Sequence, residues 1–134
     1  MKNVLVTGTS QGIGLAIAKK FIEEGYVVYG FDKQPCPKEL SEEERVRGGR
    51  YFHFDISVTD PEDFVILDPM DYVICNAGIQ TAPEVGDVML TNFWGVDNII
   101  KTYALQNFCK GIVIVGSVSG ITGAEFDEYV ASKG

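Results

Sequence analysis

Three glycines and one acid carry the first chemical signal. Gly8, Gly12 and Gly14 stand in Gly8-Thr9-Ser10-Gln11-Gly12-Ile13-Gly14, between a short apolar run and a segment of helical periodicity. Strand, glycine-rich turn, helix: that order sets the free amides of a helix N-terminus above the end of a strand. Those N–H groups and the positive end of the helix dipole suit a pyrophosphate. Gly8 makes the sharp exit from the strand, Gly12 lets backbone approach the phosphates, and Gly14 lets the helix pack closely on the sheet. The spacing is G-x-x-x-G-x-G rather than G-x-G-x-x-G, and a glycine-rich turn can also merely join a strand to a helix. Asp32 adds a second signal. It ends the next apolar strand, about 20 residues beyond the turn, where an acid hydrogen-bonds an adenosine ribose.

The elements that must position these residues are short apolar runs rich in β-branched side chains: Lys2 to Thr7, Tyr26 to Phe31, Arg50 to Phe54, Asp71 to Cys75 and Gly111 to Val115. Between them lie helical or crossover segments. The first helix carries Ile13, Ala16, Ile17 and Phe21 on one face. Glu39 to Val46 reads as a short helix, with Glu42, Glu43 and Glu44 on its solvated side. Asp60 to Leu67 holds one or two turns, with Asp60 as N-cap and Pro61 at the first helical position. Gly86 to Phe108 is the longest helix, its stripe formed by Met89, Phe93, Val96, Ile99, Ile100 and Tyr103, and a last helix starts near Glu125 or Phe126. Alternating strands and helices predict one α/β domain spanning residues 1–134. Its expected form is a Rossmann-like, doubly wound parallel sheet of order 3-2-1-4-5, with a ligand beyond the carboxyl ends of the strands.

Composition narrows the function. The chain has 134 residues, 46% hydrophobic and 22% charged, and a net charge of −8. That suits one soluble domain and argues against nucleic acid and anionic membranes as partners, while backbone amides can still hold a dinucleotide's phosphates. No apolar run has the length of a membrane span, and Met1-Lys2-Asn3 enters a strand without a signal peptide's apolar region. Cys36, Cys75 and Cys109 are far apart and odd in number, which fits a reducing cytoplasm better than a disulfide framework or zinc site. Cys75 reads as a buried filler. His53 shares a strand face with Tyr51 and Asp55 and, with no nucleophile or ligand beside it, reads as structural or surface-lying.

Thr7 to Gly14 followed by Asp32 resembles the classical short-chain dehydrogenase/reductase family, and further matches extend the resemblance over the whole chain. Asp55 matches the acid that contacts the adenine amino group, and Asn76-Ala77-Gly78 the motif that closes the cofactor cleft after the fourth strand. Asn92 matches the catalytic asparagine of the long helix and Ser117 the catalytic serine after the fifth strand. Tyr129-Val130-Ala131-Ser132-Lys133 matches the active Y-x-x-x-K. The resemblance also puts Ser10, Gln11, Ile13, Lys33 and Ile56 on the cofactor. Taken alone, Asn92 would cap or bend its helix, Tyr129 and Lys133 would be an exposed helix pair, and Ser119 competes for the role of Ser117.

The resemblance implies hydride transfer between NAD(H) and an alcohol or carbonyl. Tyrosine has an ordinary pKa of about 10, too high for a base at neutral pH. Lys133, four residues on and so on the same helical face, favours the phenolate; it also hydrogen-bonds the nicotinamide ribose, where Tyr129 lies as well. Ser117 offers a hydroxyl to the substrate oxygen, and Asn92 supports a water that relays protons to Lys133. Asp32 accepts hydrogen bonds from ribose hydroxyls and repels a 2′-phosphate, and Gln11 brings no compensating charge, so NAD(H) is expected over NADP(H); Lys33 dissents. Family members continue well past the position of Lys133 and assemble as dimers or tetramers. The chain is expected to be C-terminally truncated relative to the family, and the segment between Asp55 and Asn76 is short for a family helix. Two functions stay open: an NAD-dependent oxidoreductase, and an NAD(H)-binding module or inactive fragment without turnover of its own.

Overall fold

Alternating apolar side chains give the strands two sides to bury. The computed structural model describes residues 2–41, 50–78, 90–105 and 109–116. In it β1 (Asn3–Thr7), β2 (Val27–Phe31), β3 (Tyr51–Phe54), β4 (Tyr72–Cys75) and β5 (Gly111–Ile114) form one sheet of order β3-β2-β1-β4-β5, every pairing parallel. This is the topology the sequence predicts. Val4, Val6, Val28, Tyr51 and Ile74 face one side and pack against Ala18 and Ile22 of α1 (Gly12–Glu23) and against Leu40. Leu5, Phe31, Val73 and Cys75 face the other and pack against Ile99, Tyr103 and Ala104. Each such aliphatic side chain contributes about 1.5–3 kcal/mol when fully buried.

Helix faces depart from expectation in two places. On α1 the buried residues are Gly14, Ala18 and Ile22; Ile17 and Phe21 pack at the flank, and Ile13 and Ala16 are exposed. The helix lies so close to the sheet at its glycine end that only small side chains fit underneath. The long helix is described from Leu90 to Ala104. Its centre, α2 (Gly95–Ile99), is α-helical between two π-helical turns, Leu90–Trp94 and Ile100–Ala104. The wider π turns rotate the expected stripe: Asn92, Gly95, Ile99, Tyr103 and Ala104 are buried, Val96 and Ile100 pack at the edge, and Phe93 is exposed. Met89 and the ends of the expected helix lie outside the described residues.

Residues 38–41 are helical, and the rest of the expected Glu39 to Val46 helix lies outside the described residues. The segment after β3 makes only a 3₁₀ turn, Pro61–Asp63. Asp60 holds the N-cap position without a side-chain capping bond; its carboxylate lies 3.6 Å from Lys33 Nζ instead. Beyond the turn, Phe64 packs on Phe31 and Tyr103, Tyr103 donates its hydroxyl to the Val65 carbonyl at 2.7 Å, and Ile66 is fully exposed. The sheet beneath stays covered all the same: Leu5, Phe31 and Val73 on that face are at most 1% exposed. β5 is apolar but half-exposed along Ile112, Val113 and Ile114.

Asp71 ties three strand starts together. Its Oδ2 accepts from the Asn3 N–H at 2.8 Å, its carbonyl accepts from the Lys110 N–H at 2.7 Å, and its Oδ1 lies 3.4 Å from Lys110 Nζ. The Asn3 N–H holds its carboxyl below the usual carboxylate range; partial burial opposes this, and Lys110 and Lys2 add to it. A lowered folded-state pKa contributes stability that is present above the unfolded value and lost as pH falls through the folded one. Thermal midpoints should therefore drop on acidification through and below the ordinary carboxylate range, and Asp71→Asn should flatten that drop. A variant with the same acid slope as the parent would contradict the assignment.

Candidate functional site

The carboxyl ends of β1 and β4 open into a cleft of about 500 Å³, at the place where the strand order reverses. The turn after β1 supplies Gly8, Gln11, Gly12 and Ile13 to its wall. Asp32 and Lys33 come from the end of β2, Ile56 from beyond β3, and Asn76, Ala77 and Gly78 from beyond β4. Topology thus gathers to one opening residues that are far apart in sequence.

Backbone demands explain the turn. Gly8 has φ +76° and Gly12 φ +58°, the left-handed region where a side chain is strained. Gln11 is extended at the N-cap of α1 and makes no side-chain capping bond, so the helix opens with its amides uncapped towards the cleft. Gly14 lies behind the wall. A Cβ there would sit far inside van der Waals contact of the Gly8 carbonyl oxygen and 2.5 Å from Asn76 Nδ2. Asn76 Nδ2 donates to that same carbonyl at 3.2 Å, and Thr7 Oγ1 accepts the N–H groups of Asn76 (3.0 Å) and Ala77 (2.9 Å). The floor of the cleft is therefore stitched across β1 and β4.

Asp32 is held at both oxygens. Oδ2 accepts the Ser10 N–H at 3.0 Å and Oδ1 accepts the Gln34 N–H at 2.8 Å. Hydrogen bonds to a charged group contribute about 1.5–3 kcal/mol each. The exposed Lys33–Asp60 pair contributes about 0–1 kcal/mol. So the carboxylate is fixed, while the lysine beside it is only lightly engaged.

The remaining expected residues divide clearly. Ser10 closes on the Asp32 loop with both its amide and its hydroxyl, the latter near the carbonyls of Gln34 (3.1 Å) and Pro35 (3.0 Å). Asp55 is exposed and does not line the cleft, whereas Ile56 does. Asn92 is 4% exposed on the first π turn, next to Thr91, which reaches the cleft wall. Ser117, Ser119, Tyr129 and Lys133 lie outside the described residues. The sequence reading missed Phe31, Gln34, Ser57, Val58 and Thr91 as wall residues. Of these only Gln34 carries a local signal, since an aspartate often accepts the N–H two positions on.

Elsewhere burial quiets the chemistry. It pushes the Cys75 thiol up to about 12, with Cys109 nearby adding to the shift. The Tyr103 hydroxyl is likewise pushed up to about 12 by burial, against the Val65 hydrogen bond. Neither offers a nucleophile or base near neutral pH. Among the described residues no group of three or more His, Cys, Asp or Glu is placed to hold a metal ion, and no helix is long and apolar enough to cross a membrane.

A family model described as short chain dehydrogenase matches residues 2–134. The chain is 34% identical over 157 residues to a glucose 1-dehydrogenase of Gluconobacter oxydans, covering 99% of this chain and 59% of that protein. A short-chain dehydrogenase from Streptomyces avermitilis superposes with a TM-score of 0.81 at 24% identity, covering 99% of this chain and 57% of that one. The structure of ElxO with NADP bound gives a TM-score of 0.78 at 24% identity, covering 98% and 62%. At that identity the structural likeness speaks for the fold alone. The chain spans less than two thirds of the length of each of these relatives.

Proposed function

The chain belongs to the short-chain dehydrogenase family, and on that premise we propose that its cleft holds the adenosine half of NAD(H) in an oxidoreductase acting on an alcohol or carbonyl. The observation that carries the cofactor reading is Asp32, fixed at both oxygens by backbone N–H groups at the cleft wall. A carboxylate so held is an acceptor for ribose hydroxyls and a repulsive neighbour for a 2′-phosphate. Lys33, the cation that could offset it, is turned to Asp60. The runner-up, NADP(H), has in its favour that Lys33 puts a cation just after the acid.

The residues present fit the group. The uncapped amides at the start of α1 suit the pyrophosphate, and Gly12 has nothing within 4 Å of where a Cβ would stand, leaving room for close approach. Bound there, the nicotinamide ring would supply or accept the hydride. In this reading Tyr129 moves the proton to or from the substrate oxygen, Lys133 lowers the tyrosine's pKa, and Ser117 orients that oxygen. Asn92, buried beside Thr91, supports the proton relay. The whole protein is proposed to work as a dimer or tetramer in the cytoplasm; exposed Phe93 and Trp94 and an odd number of widely spaced cysteines agree with that. The second reading is a binding module without turnover of its own: the cleft wall, among the described residues, supplies groups that bind a cofactor.

Titration followed by NADH fluorescence tests the cofactor assignment. NADH should bind more tightly than NADPH, and Asp32→Ala should narrow the gap by about tenfold, the worth of roughly one charge-assisted hydrogen bond. Equal affinities in the parent chain would refute it.

A further inference from the structure

The lone histidine, unused in any step above, sits at the hinge of a polar chain that reaches the cofactor loop. His53 Nε2 lies 2.9 Å from the Gln34 carbonyl oxygen. A carbonyl only accepts, so Nε2 carries a proton. Nδ1 of the neutral ring is then bare, and it accepts the Tyr51 hydroxyl at 2.7 Å. The Tyr51 oxygen in turn accepts the Thr9 hydroxyl at 2.8 Å. Thr9 and Tyr51 are both 0% exposed, so the chain runs through a dry face of the sheet from the glycine turn to the turn carrying Asp32.

Space has been left for it. A Cβ at Gly30 would overlap the Tyr51 hydroxyl and lie 2.6 Å from Thr9 Oγ1. Gly30 is the register partner of His53, so the hollow lies beside the relay. The far end of the relay matters as much. The Gln34 carbonyl accepts from His53 and lies 3.1 Å from Ser10 Oγ, while the Gln34 N–H donates to Asp32 Oδ1. Holding the Gln34 carbonyl and N–H therefore holds the Asp32 carboxylate.

We propose that His53 is a positioning residue for cofactor selectivity, fixing Asp32 through the Gln34 carbonyl so that the cleft favours an adenosine ribose with a free 2′-hydroxyl. The inference rests on the dinucleotide reading of the cleft. Without the tether the loop can swing, Asp32 loses its fixed aim, and its repulsion of a 2′-phosphate weakens. Selectivity then narrows even where the fold survives.

Calorimetric titration with ADP-ribose and 2′-phospho-ADP-ribose tests this on the parent chain, His53→Asn and His53→Gln. Glutamine can carry an N–H to the Gln34 carbonyl in place of Nε2, whereas asparagine reaches only towards Tyr51. His53→Asn should narrow the ratio of the two affinities by about threefold to tenfold, the effect of one net hydrogen bond, and His53→Gln should restore most of it. An unchanged ratio in His53→Asn, or equal shifts in both variants, would overturn the proposal. A parent chain that prefers the phosphorylated ligand would overturn the NAD(H) reading, while the movement of the ratio still judges His53. Binding of neither ligand would overturn both. The tautomer supplies a readout that needs no variant. Because the chain has one histidine, its imidazole nitrogen resonances assign themselves. At mildly alkaline pH they should show Nε2–H with Nδ1 bare, and the opposite tautomer would sink the relay.

Discussion

Gly14→Ala is expected to abolish dinucleotide binding and to destabilise the chain by about 3 kcal/mol or more, the upper range for overpacking a tight contact. The new methyl would fall on the Gly8 carbonyl, a backbone atom that cannot turn aside as a side-chain end can. Relief requires α1 to lift from the sheet or the turn to move, and both carry the helix amides away from the phosphates. The Asn76 Nδ2 bond to the same carbonyl would be lost with it. Gly12→Ala is the informative contrast. Its Cβ would meet no protein atom within 4 Å, so stability should lose only the cost of φ +58°, about 1–2 kcal/mol, while the methyl takes room left for the pyrophosphate. Thermal melts and calorimetric titration of both variants measure this, and a Gly14→Ala chain that binds like the parent would contradict the close packing described here.

Tyr129→Phe should have the largest effect on turnover. In a form of the protein that reduces a carbonyl substrate, the change removes a transferable proton and little volume. Cofactor affinity should persist while turnover falls by about 10² to 10⁴-fold, the usual worth of general acid–base catalysis. Steady-state rates beside a binding isotherm separate the two. A loss well under about tenfold would mean that another group supplies the proton.

Legibility in the sequence followed the range of the physics. The strands were readable because Val4 to Val6 or Val73 to Cys75 are consecutive apolar residues that a buried parallel strand requires on both faces. Alternation and crossover rules made the sheet parallel, and its order followed from the dinucleotide-binding pattern of the first turn and Asp32. The face of α1 was misread because Gly14 and Ala18 carry almost no hydrophobic signal, yet their smallness is what lets the helix approach. Ile13 looked like core and is 63% exposed at the rim of the cleft. Phe93 was displaced by a π turn that no local pattern announced. At the site, residues with backbone duties of their own, such as Gly8 and Asp32, left a spacing signature. Thr9, Tyr51 and Thr91 did not, because their partners are set by the sheet rather than by neighbours in sequence.

The central place of β1 also governs how the chain reaches its fold. β1 is made first, yet its neighbours are β2 and β4, and the Asn3–Asp71 bond that starts the second pairing spans 68 residues. Among the described strands all the pairings are parallel, so no hairpin between them can seed the sheet, and closure of long loops must precede the contacts that reward it. At a synthesis rate of about 5–20 residues per second, an apolar strand waits on the order of several seconds for its partner. The Thr7 hydroxyl that receives the Asn76 and Ala77 amides belongs to that same late closure. Nascent chains ending before β4 should therefore bind no dinucleotide. Cofactor can stabilise the finished domain, but it cannot guide the earlier steps of its folding.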